Sequence, residues 1–147
     1  MACSLLELAL ERALVSRMIA LSKTEHDKIF SDSDGGPLST LSAKTRMAYV
    51  LGIIGPIAKQ DFDRIRVVRN VFAHTRRGTS FATPEIEHAC NTLHFSKGMD
   101  ITYTLDAKMK FLMACANYAY ALRLVTLPAG SIKLYSFTSP FGTISLP

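Results

Sequence analysis

The sequence predicts an all-α protein, a single compact bundle of five or six helices. Three observations carry this reading. Apolar residues recur every three or four positions over most of the chain. Breaker clusters, of which Ser31 to Pro37 (SDSDGGP) is the plainest, divide those patterns into helix-sized pieces. A length of 147 residues, against roughly 150 per domain, leaves room for one domain and no long linker.

The first helix is expected from Ser4 to about Ser22, where Leu6, Leu10, Leu14, Met18 and Leu21 keep helical spacing among strong helix formers. A short second helix runs from Thr24, as its cap, to Phe30. Ser39 or Thr40 caps a third, which carries Leu41, Met47, Ala48, Leu51 and Ile54 and is stopped by Gly55-Pro56. The fourth spans Ile57 to Thr75. Thr83-Pro84 is a cap followed by a first-turn proline and opens a fifth, to about Leu93. Thr104 opens the last, which reaches Val125 before Pro128 and Gly130 end it. Residues 1–128 thus form the helical domain, and residues 129–147 a tail with one charge, Lys133, and three aromatics, Tyr135, Phe137 and Phe141. That tail reads as a loosely held terminus.

Composition narrows the class of protein. Hydrophobic residues at 48% and charged residues at 20% are ordinary globular usage and argue against disorder. Glu7, Glu11, Arg12 and Arg17 interrupt the first apolar stretch and Arg123 the last, so no run reaches the ~18 residues of a membrane span. The same acidic residues are foreign to a secretory signal. Cys3, Cys90 and Cys115 lie far apart, follow no metal-ligand spacing and read as reduced thiols, two of them buried. The expectation is a soluble cytoplasmic protein with no membrane contact.

Charge is concentrated. Between Ile57 and Arg77 lie Lys59, Arg64, Arg66, Arg69, Arg76 and Arg77 against Asp61 and Asp63, six positive and two negative charges, hence +4 of the chain's +5. Such a stripe suits a polyanion (RNA or DNA) or an acidic partner protein, and equally a solvated helix face. Arg64, Arg66, Arg76 and Arg77 are the candidate contacts.

At roughly 100° per residue, Phe62, Ile65, Val68 and Phe72 share an apolar face, and Arg69 falls inside that stripe. Asp63, Arg66, Asn70 and His74 share a polar face elsewhere on the helix. Arginine cannot shed its charge, so Arg69 requires a carboxylate, carbonyls or a phosphate. Glu7, Glu11, Glu25, Asp27, Glu85 and Glu87 are the internal candidates. Asn70 and His74 have an equally plain structural reading, as helix-end groups bonding the next loop.

The stretch Ile65 to His74, IRVVRNVFAH, is similar to the IRxIRNxFAH signature of the mannitol operon repressor family. Gly36-Pro37-Leu38-Ser39-Thr40-Leu41-Ser42-Ala43-Lys44 and Ala48-Tyr49-Val50-Leu51-Gly52-Ile53-Ile54 resemble its GPLSTFSAK and AYxLGLI blocks. Ser80-Phe81 through Pro84-Glu85-Ile86 looks like its SFxxPEI segment. These blocks run in the family's order from about Leu5 to Leu93, and the C-terminal third carries none. The resemblance implies an all-α fold and transcriptional repression of a sugar-alcohol operon. Ala48 and Gly52 mimic part of a helix-turn-helix, but Pro56 lies in the turn and the following helix uses Phe62 and Ile65 for packing. A protein partner or weak backbone contacts with nucleic acid therefore fit better than direct operator reading.

Arg69-Asn70-x-x-x-His74 also resembles the arginine–histidine motif of the HEPN superfamily, helical proteins that include metal-independent ribonucleases and many non-catalytic members. Carried over, Arg69 would stabilise charge on the phosphorane and His74 would be general base or acid at the ribose 2′-hydroxyl or leaving oxygen. Asn70 would orient His74. Two copies of that motif meet across a homodimer groove in the superfamily, so the resemblance implies a homodimer. It leaves a metal-independent endoribonuclease and an inactive derivative both open. An adaptor using the aromatic tail is a third possibility.

No metal or cofactor is expected. Asp32, Asp34 and Gly35 imitate the start of a calcium loop, but the glycine comes too early and Lys44 stands near the place of the closing glutamate. Gly35-Gly36 lacks the ending of a phosphate loop, and His26, His88 and His94 are scattered.

Overall fold

The computed structural model describes residues 2–74, 78–94 and 105–126, and the backbone of 137–139 and 142–144. The fold is all-α, with helices α1 (Ala2–Val15), α2 (Lys23–Phe30), α3 (Leu41–Val50), α4 (Pro56–His74), α5 (Pro84–Asn91) and α6 (Ala107–Val125). In the tail, β1 (Phe137–Ser139) pairs antiparallel with β2 (Gly142–Ile144), Phe137 facing Ile144, so a small hairpin stands within the segment expected to be loosely held. The remaining tail residues lie outside the described ones.

The expected number of helices is met, and their ends differ for local reasons. α1 stops at Val15 rather than near Ser22, because the Ser16 hydroxyl donates to the Ala13 carbonyl at 2.7 Å. Arg17 and Met18 then close tighter turns, N–H to carbonyl, on Leu14 and Val15. The cap of α2 is Ser22 rather than Thr24: its hydroxyl accepts from the Glu25 N–H, and Glu25 accepts the Ser22 N–H in return. The Ser22 hydroxyl also donates to the Glu25 carboxylate at 2.7 Å, and that bond, then the one from the Ser22 N–H, holds the carboxyl below its ordinary pKa. α3 is capped by Thr40 and ends at Val50, where Gly52, at φ +67°, supplies a left-handed turn. Pro56 opens α4 instead of merely stopping α3. Asp106 caps α6 through the Met109 N–H, while Thr104 lies outside the described residues.

The SDSDGGP loop folds back on α2. Gly36 and Leu38 donate their N–H groups to the carbonyls of Ser31 and Ile29, each at 2.9 Å. A Cβ at Gly36 would come within 2.5 Å of the Ile29 oxygen, so only glycine passes here.

α1 packs on α6 and α3, α3 on α4, and α4 and α6 both on α5 and on each other. Leu6, Leu10 and Leu14 of α1 meet Phe62, Ile65 and Val68 of α4 and Ile86 of α5 in one core. Phe72, expected on the buried face, is partly exposed, because it sits at the edge of an aromatic row through Phe81 to Phe111. Among the described residues, no helix is long and apolar enough to cross a membrane.

Candidate functional site

α4 presents the residues of interest on three sides. Its outward face carries Asp63, Arg66, Asn70 and His74, as the spacing requires. Asp63 holds two cations on that face: Lys59 Nζ at 3.1 Å and Arg66 Nε at 4.0 Å. The Arg66 Nε is buried and has no hydrogen-bond partner among the described residues. His74 is exposed at the helix end and Asn70 is partly exposed. His74 follows Arg69 by five positions, so they diverge by ~140° around the helix.

Arg69 lies on the flank that faces α1, where its Nη2 stands 3.6 Å from Glu7 Oε2. Glu7 is one of the carboxylates named from the sequence. Arg69 is not engulfed, however: 47% of its side chain stays exposed. Glu7 belongs to a larger network. Lys44 of α3, with only 5% of its side chain exposed, places its ammonium 3.2 Å from Glu7 and 2.8 Å from Glu11. His26 of α2 lies 3.3 Å from Glu11. One acidic edge of α1 therefore ties α2, α3 and α4 together.

The third side holds a group that the sequence reading passed over. Asp61 is fully buried, and its carboxylate gathers donors from three elements. Oδ1 accepts from Arg64 Nη1, from the His94 N–H and from His94 Nδ1, each at 3.0 Å; Oδ2 accepts the Tyr118 hydroxyl at 2.9 Å. Because an ionised carboxylate only accepts, Nδ1 carries the proton, and the 3.0 Å between Arg64 and His94 reflects two donors on one oxygen. Burial, then the Asp61 charge and the bond to it, push the Tyr118 hydroxyl well above its ordinary pKa and keep it a donor. The Tyr118 ring stands edge-on to Phe62 at 5.0 Å. Asp61 is thus a clamp joining α4 to the end of α5 and to α6.

Of the candidate nucleic-acid contacts, Arg64 is hydrogen-bonded to Asp61 and Arg66 lies only within long ion-pair range of Asp63, while Arg76 and Arg77 lie outside the described residues. Arg69, Asn70 and His74 occupy one helix without touching each other's polar atoms in any described bond. Among the described residues no group of three or more His, Cys, Asp or Glu side chains could hold a metal. No family model, curated protein or solved structure matches the chain.

Proposed function

We propose that the protein is a small cytoplasmic regulator of the mannitol operon repressor type, a homodimer that works through a protein partner rather than by reading an operator. The observation that supports this is how the cations of α4 are held. Lys59 and Arg66 face Asp63, Arg64 faces Asp61, and Arg69 faces Glu7. A carboxylate beside each of these cations offsets part of the positive field that a phosphate would meet, which weakens the electrostatic gain. Apolar side chains, by contrast, stand open where α3 turns into α4: Tyr49, Val50, Leu51 and Ile57 are all exposed. Grouped apolar surface of that kind suits a protein contact.

Titrating the protein with a mannitol-operon promoter duplex and a random duplex across a salt series tests the reading. Equal, weak affinities, within about twofold at each salt concentration, are expected. A promoter preference of about tenfold or more, some 1.4 kcal/mol, would replace the partner-mediated reading with direct operator recognition.

A second reading, a HEPN-type metal-independent ribonuclease, is favoured by the accessibility of Arg69 and His74. The wide angle between them on one helix would then be closed by pairing the α4 faces of two copies.

A further inference from the structure

α1 and α6 pack on each other, and each also carries a face that the core does not use. On α1, Leu5, Leu8 and Arg12 fall within roughly 60° of one another, and on α6 Leu112, Ala116 and Arg123 do the same. Together these faces line a groove of about 410 Å³ that opens to solvent. Ala116, with its short side chain, leaves space in it, while Leu5, Leu8 and Leu112 stand exposed around it. Arg12 and Arg123 are the charged residues of the lining, which contains no acid.

We propose that this groove binds a free fatty acid as its carboxylate, the alkyl chain lying on the leucines and the head group paired with an arginine of the lining. A mostly apolar lining with a few charged groups is the usual make-up of a small-ligand site. The volume lies near the lower end of such sites, roughly 300–1,000 Å³, which suits one alkyl chain rather than the two of a membrane phospholipid. A guanidinium is a fitting mate for the head group, since its planar fork can donate two parallel N–H bonds to one carboxylate. This inference does not depend on how the protein regulates.

Charge selects the occupant. Glu7 and Glu11, the acids of α1, turn away from the groove toward Lys44, His26 and Arg69. α6 contains no acid at all. Among the described residues neither Arg12 nor Arg123 is ion-paired, in contrast to Lys59, Arg64 and Arg69 of α4. Arginine keeps its charge, so the groove is complementary to an anion. A second copy seated on it about a twofold axis would present the same lining, and hence arginines without a carboxylate to meet them. A bilayer surface could supply negative charge, but it would not fill a concave site.

The test is isothermal titration calorimetry of the full chain with dodecanoate below its micellar concentration, beside octanoate, dodecanol and phosphatidylglycerol vesicles. Saturable binding of dodecanoate at a single site is expected, about tenfold or more tighter than octanoate because more of the chain is buried. Dodecanol, which lacks the charge, is expected to bind about tenfold or more weakly than dodecanoate. The Arg12→Gln, Arg123→Gln double variant loses that preference for the charged head. Ala116→Phe, at an exposed position, fills the groove and abolishes binding while the helical circular dichroism is unchanged. The double variant, at two exposed positions, decides the matter even if Ala116→Phe fails to fold. No binding of dodecanoate, binding that survives Ala116→Phe in the folded protein, or equal affinity for dodecanol would overturn the proposal. So would binding confined to the vesicles, which would make this face a membrane contact. A dimer that ignores dodecanoate and that Ala116→Phe dissociates would likewise overturn it, by seating a second copy in the groove.

Discussion

Replacing Asp61 with alanine is expected to cost about 3–5 kcal/mol of unfolding free energy, the loss seen when one partner of a buried charge pair is removed. The carboxylate is fully buried and receives the Arg64 guanidinium, the His94 backbone and ring, and the Tyr118 hydroxyl. The substitution takes away the acceptor for all four bonds at once and leaves the Arg64 charge uncompensated at its only described carboxylate. Against a domain stability of about 5–15 kcal/mol, that is a large share. Urea unfolding followed by circular dichroism measures it as a lower midpoint with an unchanged slope. Tyr118→Phe, which deletes one donor and keeps the ring against Phe62, is expected to cost only about 1–2 kcal/mol. A loss below about 1 kcal/mol in Asp61→Ala would mean that the clamp is ornamental.

The second large effect is expected at Lys44. Its ammonium lies 3.2 Å from Glu7 and 2.8 Å from Glu11, whose side chains are 18% and 20% exposed, so Lys44→Ala takes the shared cation from two mostly buried carboxylates and leaves them only Arg69 and His26. A cost of about 2–3 kcal/mol follows, smaller than at Asp61 because both carboxylates retain some solvent. Adding Glu11→Gln to Lys44→Ala should recover part of the loss, since it removes one of the two under-compensated charges. A coupling energy above about 1 kcal/mol in that double-mutant cycle would confirm direct interaction, and strict additivity would refute it.

Much of the fold was legible because helix caps and stops are local chemistry. Thr40 and Thr83-Pro84 announce α3 and α5 within a few residues of where they begin. The errors are also local. Ser16 reads as one more polar residue in a helical run, yet its hydroxyl takes a carbonyl and helps end α1. Ser22 and Thr24 compete as caps, and the Glu25 three positions after Ser22 decides between them.

The candidate site was less legible because its partners are distant in the chain. Arg69 was bound to seek a carboxylate, but six were available, and only packing of α1 on the rest of the bundle selects Glu7. Asp61 did carry a signal: with Ile65, Val68 and Phe72 it keeps the 4-3-4 spacing of the buried stripe, the same ground on which Arg69 was singled out. Its partners His94 and Tyr118, 33 and 57 residues away, left no trace in any local pattern.

That Arg69 belongs to the charge network of the fold, and not to a phosphate-cleaving site, is tested most directly with RNA. Wild type and the Arg69→Ala, His74→Ala double variant are incubated with single-stranded RNA in chelator, and intact RNA is followed over time. Both proteins are expected to leave it equally intact, while the double variant unfolds at a lower urea concentration because the Glu7 pair is gone. Cleavage by wild type that falls by about a hundredfold or more in the double variant, the scale of lost acid–base catalysis, would contradict this and establish the ribonuclease.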